Sequence, residues 1–69
     1  MPRLYQVVAM DIFEWTVLSK LLYVAETTEE AEAYASKEWE ELSEEYQMTI
    51  TANEITSING YRIELVKEE

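Results

Sequence analysis

The chain has 69 residues, of which 48% are apolar, and its 15 acidic and 5 basic side chains give a formal net charge of −10 at pH 7. This length excludes a second domain, and the apolar content is too high for a disordered chain. We expect no direct binding to nucleic acid, because phosphate recognition needs clustered Lys and Arg, and the basic residues here are scattered.

Histidine and cysteine are absent, which removes the commonest general base, the thiol nucleophile and nearly all zinc or copper sites. The carboxylates lie mainly on one helical face, where nothing separates their pKa values for acid–base chemistry, and no loop gathers them around calcium. We therefore expect no catalytic residues, no cofactor and no metal. Without cysteine, a signal-peptide pattern or an apolar segment of about 18 residues, the sequence indicates a cytoplasmic protein outside the membrane.

The first part of the chain is predicted to form a hairpin. Residues 4–13 and 16–25 are rich in β-branched and aromatic side chains, which favour strands. The connection between them lacks the usual turn residues, so the hairpin is expected to be irregular or bulged. An alternative takes Asp11 as the N-cap of a helix over residues 12–22, with Glu14 at the third helical position.

A single amphipathic helix is predicted over residues 27–46. Thr27 precedes Glu30 by three residues, a spacing that caps a helix N-terminus. At about 100° per residue, the apolar side chains fall on one arc, which should pack on a sheet. The residues of this arc are Ala31, Ala35, Trp39, Leu42 and Tyr46, with Tyr34 beside it.

A second hairpin follows, formed by residues 47–58 and 61–67. These segments flank Asn59 and Gly60, the dipeptide best suited to the positive backbone angles of a type I′ turn. Such a turn sets Ile58 opposite Tyr61. The order of elements is ββαββ, which predicts one α+β domain over residues 1–69: an antiparallel sheet of about four strands with the helix on one face. The strand order is not determined by the sequence.

Both sides of the N-terminal hairpin are apolar, which is typical of strands that are buried on both faces. One helix cannot cover both faces, so we expect a second layer from another chain, most simply a second copy in a homodimer. The alternative is that a small domain merely exposes several aliphatic side chains. The candidate residues for self-association are Met10, Ile12, Trp15, Leu18 and Leu22.

The outer arc of the helix is acidic, and its candidate partner-binding residues are Glu29, Glu30, Glu40, Glu41, Glu44 and Glu45. The last four lie at the helix end where the dipole disfavours negative charge. One interpretation is that glutamate favours helix and keeps the protein soluble. The other is a decoy or inhibitor, of a phage or mobile-element type, that blocks the basic groove of a nucleic-acid-binding protein. We favour the first, together with a non-catalytic protein-binding function.

Overall fold

In the computed structural model, which describes residues 1–68, the chain is α+β, as predicted. Its central feature is a three-stranded antiparallel sheet of order β2-β1-β3, and two short strands form a separate ribbon, β4-β5. The elements are β1 (Arg3–Asp11), β2 (Val17–Ala25), α1 (Thr28–Glu38), α2 (Glu40–Glu45), β3 (Met48–Glu54), β4 (Ser57–Ile58) and β5 (Tyr61–Arg62).

The expected four-stranded sheet and the ββαββ order are not confirmed. The Asn59-Gly60 turn does form, with φ of 54° and 85°, and it sets Ile58 opposite Tyr61. Ile55, however, still donates its N–H to the carbonyl of Leu4 at 2.8 Å. The chain therefore runs alongside β1 as far as Leu4 before it reaches the turn. The residues around the turn then pair only with each other, as the short β4–β5 ribbon.

The turn between β1 and β2 is organised by Asp11, whose carboxylate accepts a hydrogen bond from the N–H of Phe13 at 2.8 Å. The N–H of Trp15 donates to the Asp11 carbonyl at 2.8 Å, and the Asp11 N–H donates to the carbonyl of Thr16 at 2.9 Å. Trp15 reverses the chain with φ of 56°. The irregular hairpin is thus confirmed and the alternative helix over residues 12–22 is wrong, because Asp11 caps one turn and not a helix.

The helical segment begins where the sequence places it, since the Thr27 side chain accepts the N–H of Glu30 at 3.1 Å. It is not one helix, because Trp39 leaves helical geometry at φ −100° and ψ 24° and separates α1 from α2. The Trp39 N–H still donates to the carbonyl of Ala35 at 2.9 Å. The interruption therefore spans a single residue, and it coincides with the largest side chain that the helix buries.

The core lies between α1 and one face of the sheet. On β1 the odd-numbered positions from 5 to 11 are buried and the even-numbered ones are half-buried. The helix contributes small alanines, which let it lie close to the strands, and one large aromatic ring. The buried apolar side chains are Tyr5, Val7, Ala9, Ala25, Ala31, Ala35 and Trp39.

Candidate functional site

The face of the three-stranded sheet that points away from α1, called here the outer sheet face, is mainly apolar along β1 and β2. Gln6 and Lys20 are its polar side chains on these two strands. The register places Leu22 opposite Gln6 and Val24 opposite Leu4, alternating with the pairs that face the core. Leu22 is 61% exposed and Val24 is 50% exposed. Neither side chain gains cover from the helix, because α1 packs on the other face through Ala31 and Ala35.

The predicted self-association residues occupy two regions. Met10 lies half-buried on the outer sheet face, as its alternation with Ala9 and Asp11 requires. Ile12 and Trp15 lie in the β1–β2 turn, where Trp15 is 68% exposed. The turn therefore presents its aromatic ring to solvent and does not close the end of the core.

Leu18 does not lie on the outer sheet face, contrary to the interpretation that grouped it with Leu22. The register changes from Ala9 opposite Ser19 to Met10 opposite Val17, so Leu18 is an additional residue in β2. Such a bulge reverses the alternation of side chains beyond it. Leu18 consequently packs against the core on the helix side.

The third strand makes the rest of the outer sheet face polar. Its residues on this face lie opposite Gln6, Val8 and Met10 and are exposed; they are Asn53, Thr51 and Thr49. The apolar area is thus a band along β1 and β2, with a hydroxyl and amide margin along β3.

The six candidate glutamates of the helical segment all point at least partly to solvent. Glu29 is exposed and Glu30 is half-buried at the start of α1, whereas the other four, Glu40, Glu41, Glu44 and Glu45, are exposed on α2. Across residues 1–68 the ion pairs join Arg3 to Glu54 at 3.6 Å and Arg62 to Glu64 at 3.2 Å. No helix glutamate in that range has a cationic side chain within ion-pair distance, so this charge is balanced only by solvent.

A pair of tyrosines beside the free side of β2 was not predicted from the sequence. The rings of Tyr23 and Tyr34 lie 5.8 Å apart between centroids and are tilted by 39°. The Tyr34 hydroxyl donates to the Glu30 carboxylate at 2.8 Å, and this hydrogen bond, with the negative charge of Glu30, raises the Tyr34 pKa. Partial burial and, to a smaller extent, Glu38 raise the Tyr23 pKa. The helical period predicts the position of the Tyr34 ring, and the strand period predicts that of the Tyr23 ring. Their contact depends on how the helix packs on the sheet.

Two open cavities accompany these surfaces. One of about 690 Å³ adjoins the tyrosine pair and is also lined by Val24, Lys37 and Glu38. The other, of about 570 Å³, lies between the N-terminal residues and the segment after β5, where Leu4, Ile63 and Leu65 line it. Both are wide and shallow surfaces, a shape that accommodates a protein surface better than an enclosed small molecule.

Residues 1–68 contain no cluster of three or more acidic side chains arranged to hold a metal ion. In the same range, no helix has the length and hydropathy needed to cross a membrane. No protein-family model, curated relative or solved structure matches the chain. Function is therefore inferred from the surfaces described above.

Proposed function

We propose that this protein is a non-catalytic, cytoplasmic protein-binding module that self-associates through its β1–β2 hairpin. The observation that supports this proposal is the outer sheet face, where Leu22 and Val24 stay at least half exposed beside half-buried Leu4 and Val8. Removal of apolar surface from water is the main favourable contribution to most protein–protein association. A contact between copies at this hairpin would remove part of this exposed apolar surface from water.

The position of this band also suits an interface between identical chains. The band reaches β2 at one edge of the sheet, whereas threonine and asparagine side chains of β3 make the other side polar. A two-fold contact uses the same patch on both copies, so one apolar band is sufficient for both sides.

The test is the molar mass in solution, measured by sedimentation equilibrium for the wild type, Leu22→Glu and Ser36→Glu. Ser36 is exposed on α1 and receives the same added charge away from the sheet. The wild type and Ser36→Glu should be dimers, and Leu22→Glu should be a monomer with unchanged circular dichroism. A wild type that stays monomeric up to its solubility limit would refute self-association.

A second candidate function is the acidic decoy, in which α2 and the start of α1 compete for a basic groove. Its support is the exposure of Glu40, Glu41, Glu44 and Glu45 without nearby cations among residues 1–68. A groove that binds nucleic-acid phosphates offers the clustered positive charge that this surface lacks.

The decoy function is tested by changing those four glutamates of α2 to glutamine and measuring capture of nucleic-acid-binding proteins from cell extract at low and high salt. A control variant carries Glu→Gln at Glu14, Glu26, Glu64 and Glu68, which gives the same net charge with α2 intact. Salt-sensitive capture should be lost in the α2 variant and kept in the control. Equal capture by both variants would exclude α2 as the contact.

A further inference from the structure

The direction of the backbone hydrogen bonds in the sheet identifies which groups of β2 are free. In antiparallel pairs, successive residues direct their N–H and C=O groups to alternate sides of a strand. The carbonyl of Leu4 accepts from Ile55 and the N–H of Ile12 donates to Gln47, so even-numbered residues of β1 bond toward β3. Asp11 donates to Thr16, so odd-numbered residues of β1 bond toward β2.

The free edge of β2 follows from this alternation. The residues opposite odd-numbered β1 positions are Ser19, Leu21 and Tyr23, and their backbone groups point inward to β1. The backbone N–H and C=O groups of Lys20, Leu22 and Val24 therefore point away from the sheet, because β2 is one of its two edge strands. In residues 1–68 no hydrogen bond outside the sheet reaches these groups.

We propose that a second copy of this chain pairs its own β2 with this edge, antiparallel and about a two-fold axis at Leu22, to form one six-stranded sheet. This inference rests on the proposed self-association and assigns its geometry: the contact runs along the edge of β2, so the apolar bands of the two copies join side by side on one surface of the sheet. Lys20 and Val24 lie at equal distances from Leu22 along β2. The axis therefore places Lys20 of each copy opposite Val24 of the other copy. About six hydrogen bonds result, two for each pair of outward-pointing residues.

A two-fold axis at a neighbouring residue would leave more of these backbone N–H and C=O groups without a hydrogen bond. An axis at Leu21 would place Val24 opposite Leu18, which is the bulged residue. An axis at Tyr23 would place Lys20 opposite Glu26, which lies beyond the end of β2. The Leu22 axis alone pairs the three outward-pointing residues with one another, which is why a second copy fits this edge.

The side chains agree with the same arrangement. The exposed Leu22 side chains of the two copies meet at the axis. Lys20 lies diagonally from Glu26 of the second copy, within reach of a long side chain. Among residues 1–68, Lys20 has no carboxylate within 4.0 Å. A lysine on an edge strand often prevents pairing, but here the two lysines lie about 13 Å apart along the strands.

Amide hydrogen exchange of the 15N-labelled full chain, measured at several concentrations, tests the edge directly. We expect Leu21 and Tyr23 to be protected at every concentration, because they bond to β1. Lys20, Leu22 and Val24 should be protected only where sedimentation shows a dimer, and they should exchange freely on dilution.

The outcomes separate the geometry from the proposed function. A dimer in which Lys20, Leu22 and Val24 exchange freely would overturn the edge pairing and leave self-association in place through another surface. A protein that stays monomeric would overturn both.

The axis is tested by a charge exchange between Lys20 and Glu26. Lys20→Glu and Glu26→Lys should each weaken the dimer, by about 10-fold for two symmetry-related contacts, because each places like charges side by side. The double variant should recover wild-type affinity. If net charge alone mattered, Glu26→Lys would strengthen the dimer. That result, or a double variant that stays weak, would overturn the Leu22 axis.

Discussion

Thr27 is the residue whose side chain defines the start of α1, through its hydrogen bond from the N–H of Glu30. Thr27→Ala should lower the free energy of unfolding by about 1 kcal/mol, because one helix N–H loses its partner. The neighbouring Thr28→Ala is the control, since the Thr28 hydroxyl donates to the exposed carboxylate of Glu29 and does not cap a helix N–H. Urea unfolding monitored by circular dichroism measures both. Equal losses in the two variants would contradict a capping role.

Tyr34 and Glu30 form a hydrogen bond that depends on pH. Ionising Tyr34 removes the donated proton and places a second negative charge beside Glu30, which is why the pKa of Tyr34 is raised from 10.0. Glu30→Gln should lower this pKa toward its ordinary value, as measured by the 13C NMR titration of the ring. Glu29→Gln is the control and should leave it unchanged.

The raised pKa also sets the sign of the effect on stability. Because the folded protein holds the Tyr34 proton more tightly than the unfolded chain, this contribution is fully present below about pH 10 and is lost as the pH rises through the folded pKa. In Glu30→Gln the contribution should be smaller. A wild type and variant with the same alkaline stability profile would show that the hydrogen bond does not persist in solution.

At the scale of elements, the features that the sequence predicted correctly are those set by neighbouring residues. The Thr27 cap and the Asn59-Gly60 turn each depend on chemistry within a few positions. The interruption at Trp39 and the bulge at Leu18 have no such local signal. Both coincide with packing between helix and sheet, which periodicity within one element does not contain.

The β4–β5 hairpin is an element whose stability can be separated from that of the sheet. Gly60 has φ of 85° and no atom within 4 Å of an added Cβ, so Gly60→Ala carries only a backbone cost, of roughly 1–2 kcal/mol. We expect the hydrogen bond from Ile63 to Thr56 to lose its exchange protection, with little change in the urea midpoint. If the free energy of unfolding of the whole domain fell by the full backbone cost of roughly 1–2 kcal/mol, the hairpin would unfold together with the sheet.

At the scale of the molecule, the candidate site was predictable in part. Alternation along β1 and β2 predicts that Met10 and Leu22 share one face, whatever the strand order, and the register agrees. The free edge of β2 was not predictable, because it depends on β3 pairing with the other side of β1. Strand order is a property of the whole chain, since it joins segments separated by the helices, and no local residue pattern encodes it.

The net charge of the whole molecule determines how dimerisation responds to salt. Two copies of charge −10 repel each other, and this repulsion is screened as the Debye length falls from about 30 Å at 0.01 M salt to about 8 Å at 0.15 M. The proposed pairs between Lys20 and Glu26 respond in the opposite direction, but exposed ion pairs contribute only about 0–1 kcal/mol each. We therefore expect the dimer to become tighter with salt.

The variant with four glutamines in α2 should form a dimer whose affinity depends less on salt in sedimentation equilibrium, because less charge needs screening. A dimer that instead dissociates as salt is added would mean that attraction between opposite charges, and not apolar contact and strand pairing, holds the copies together.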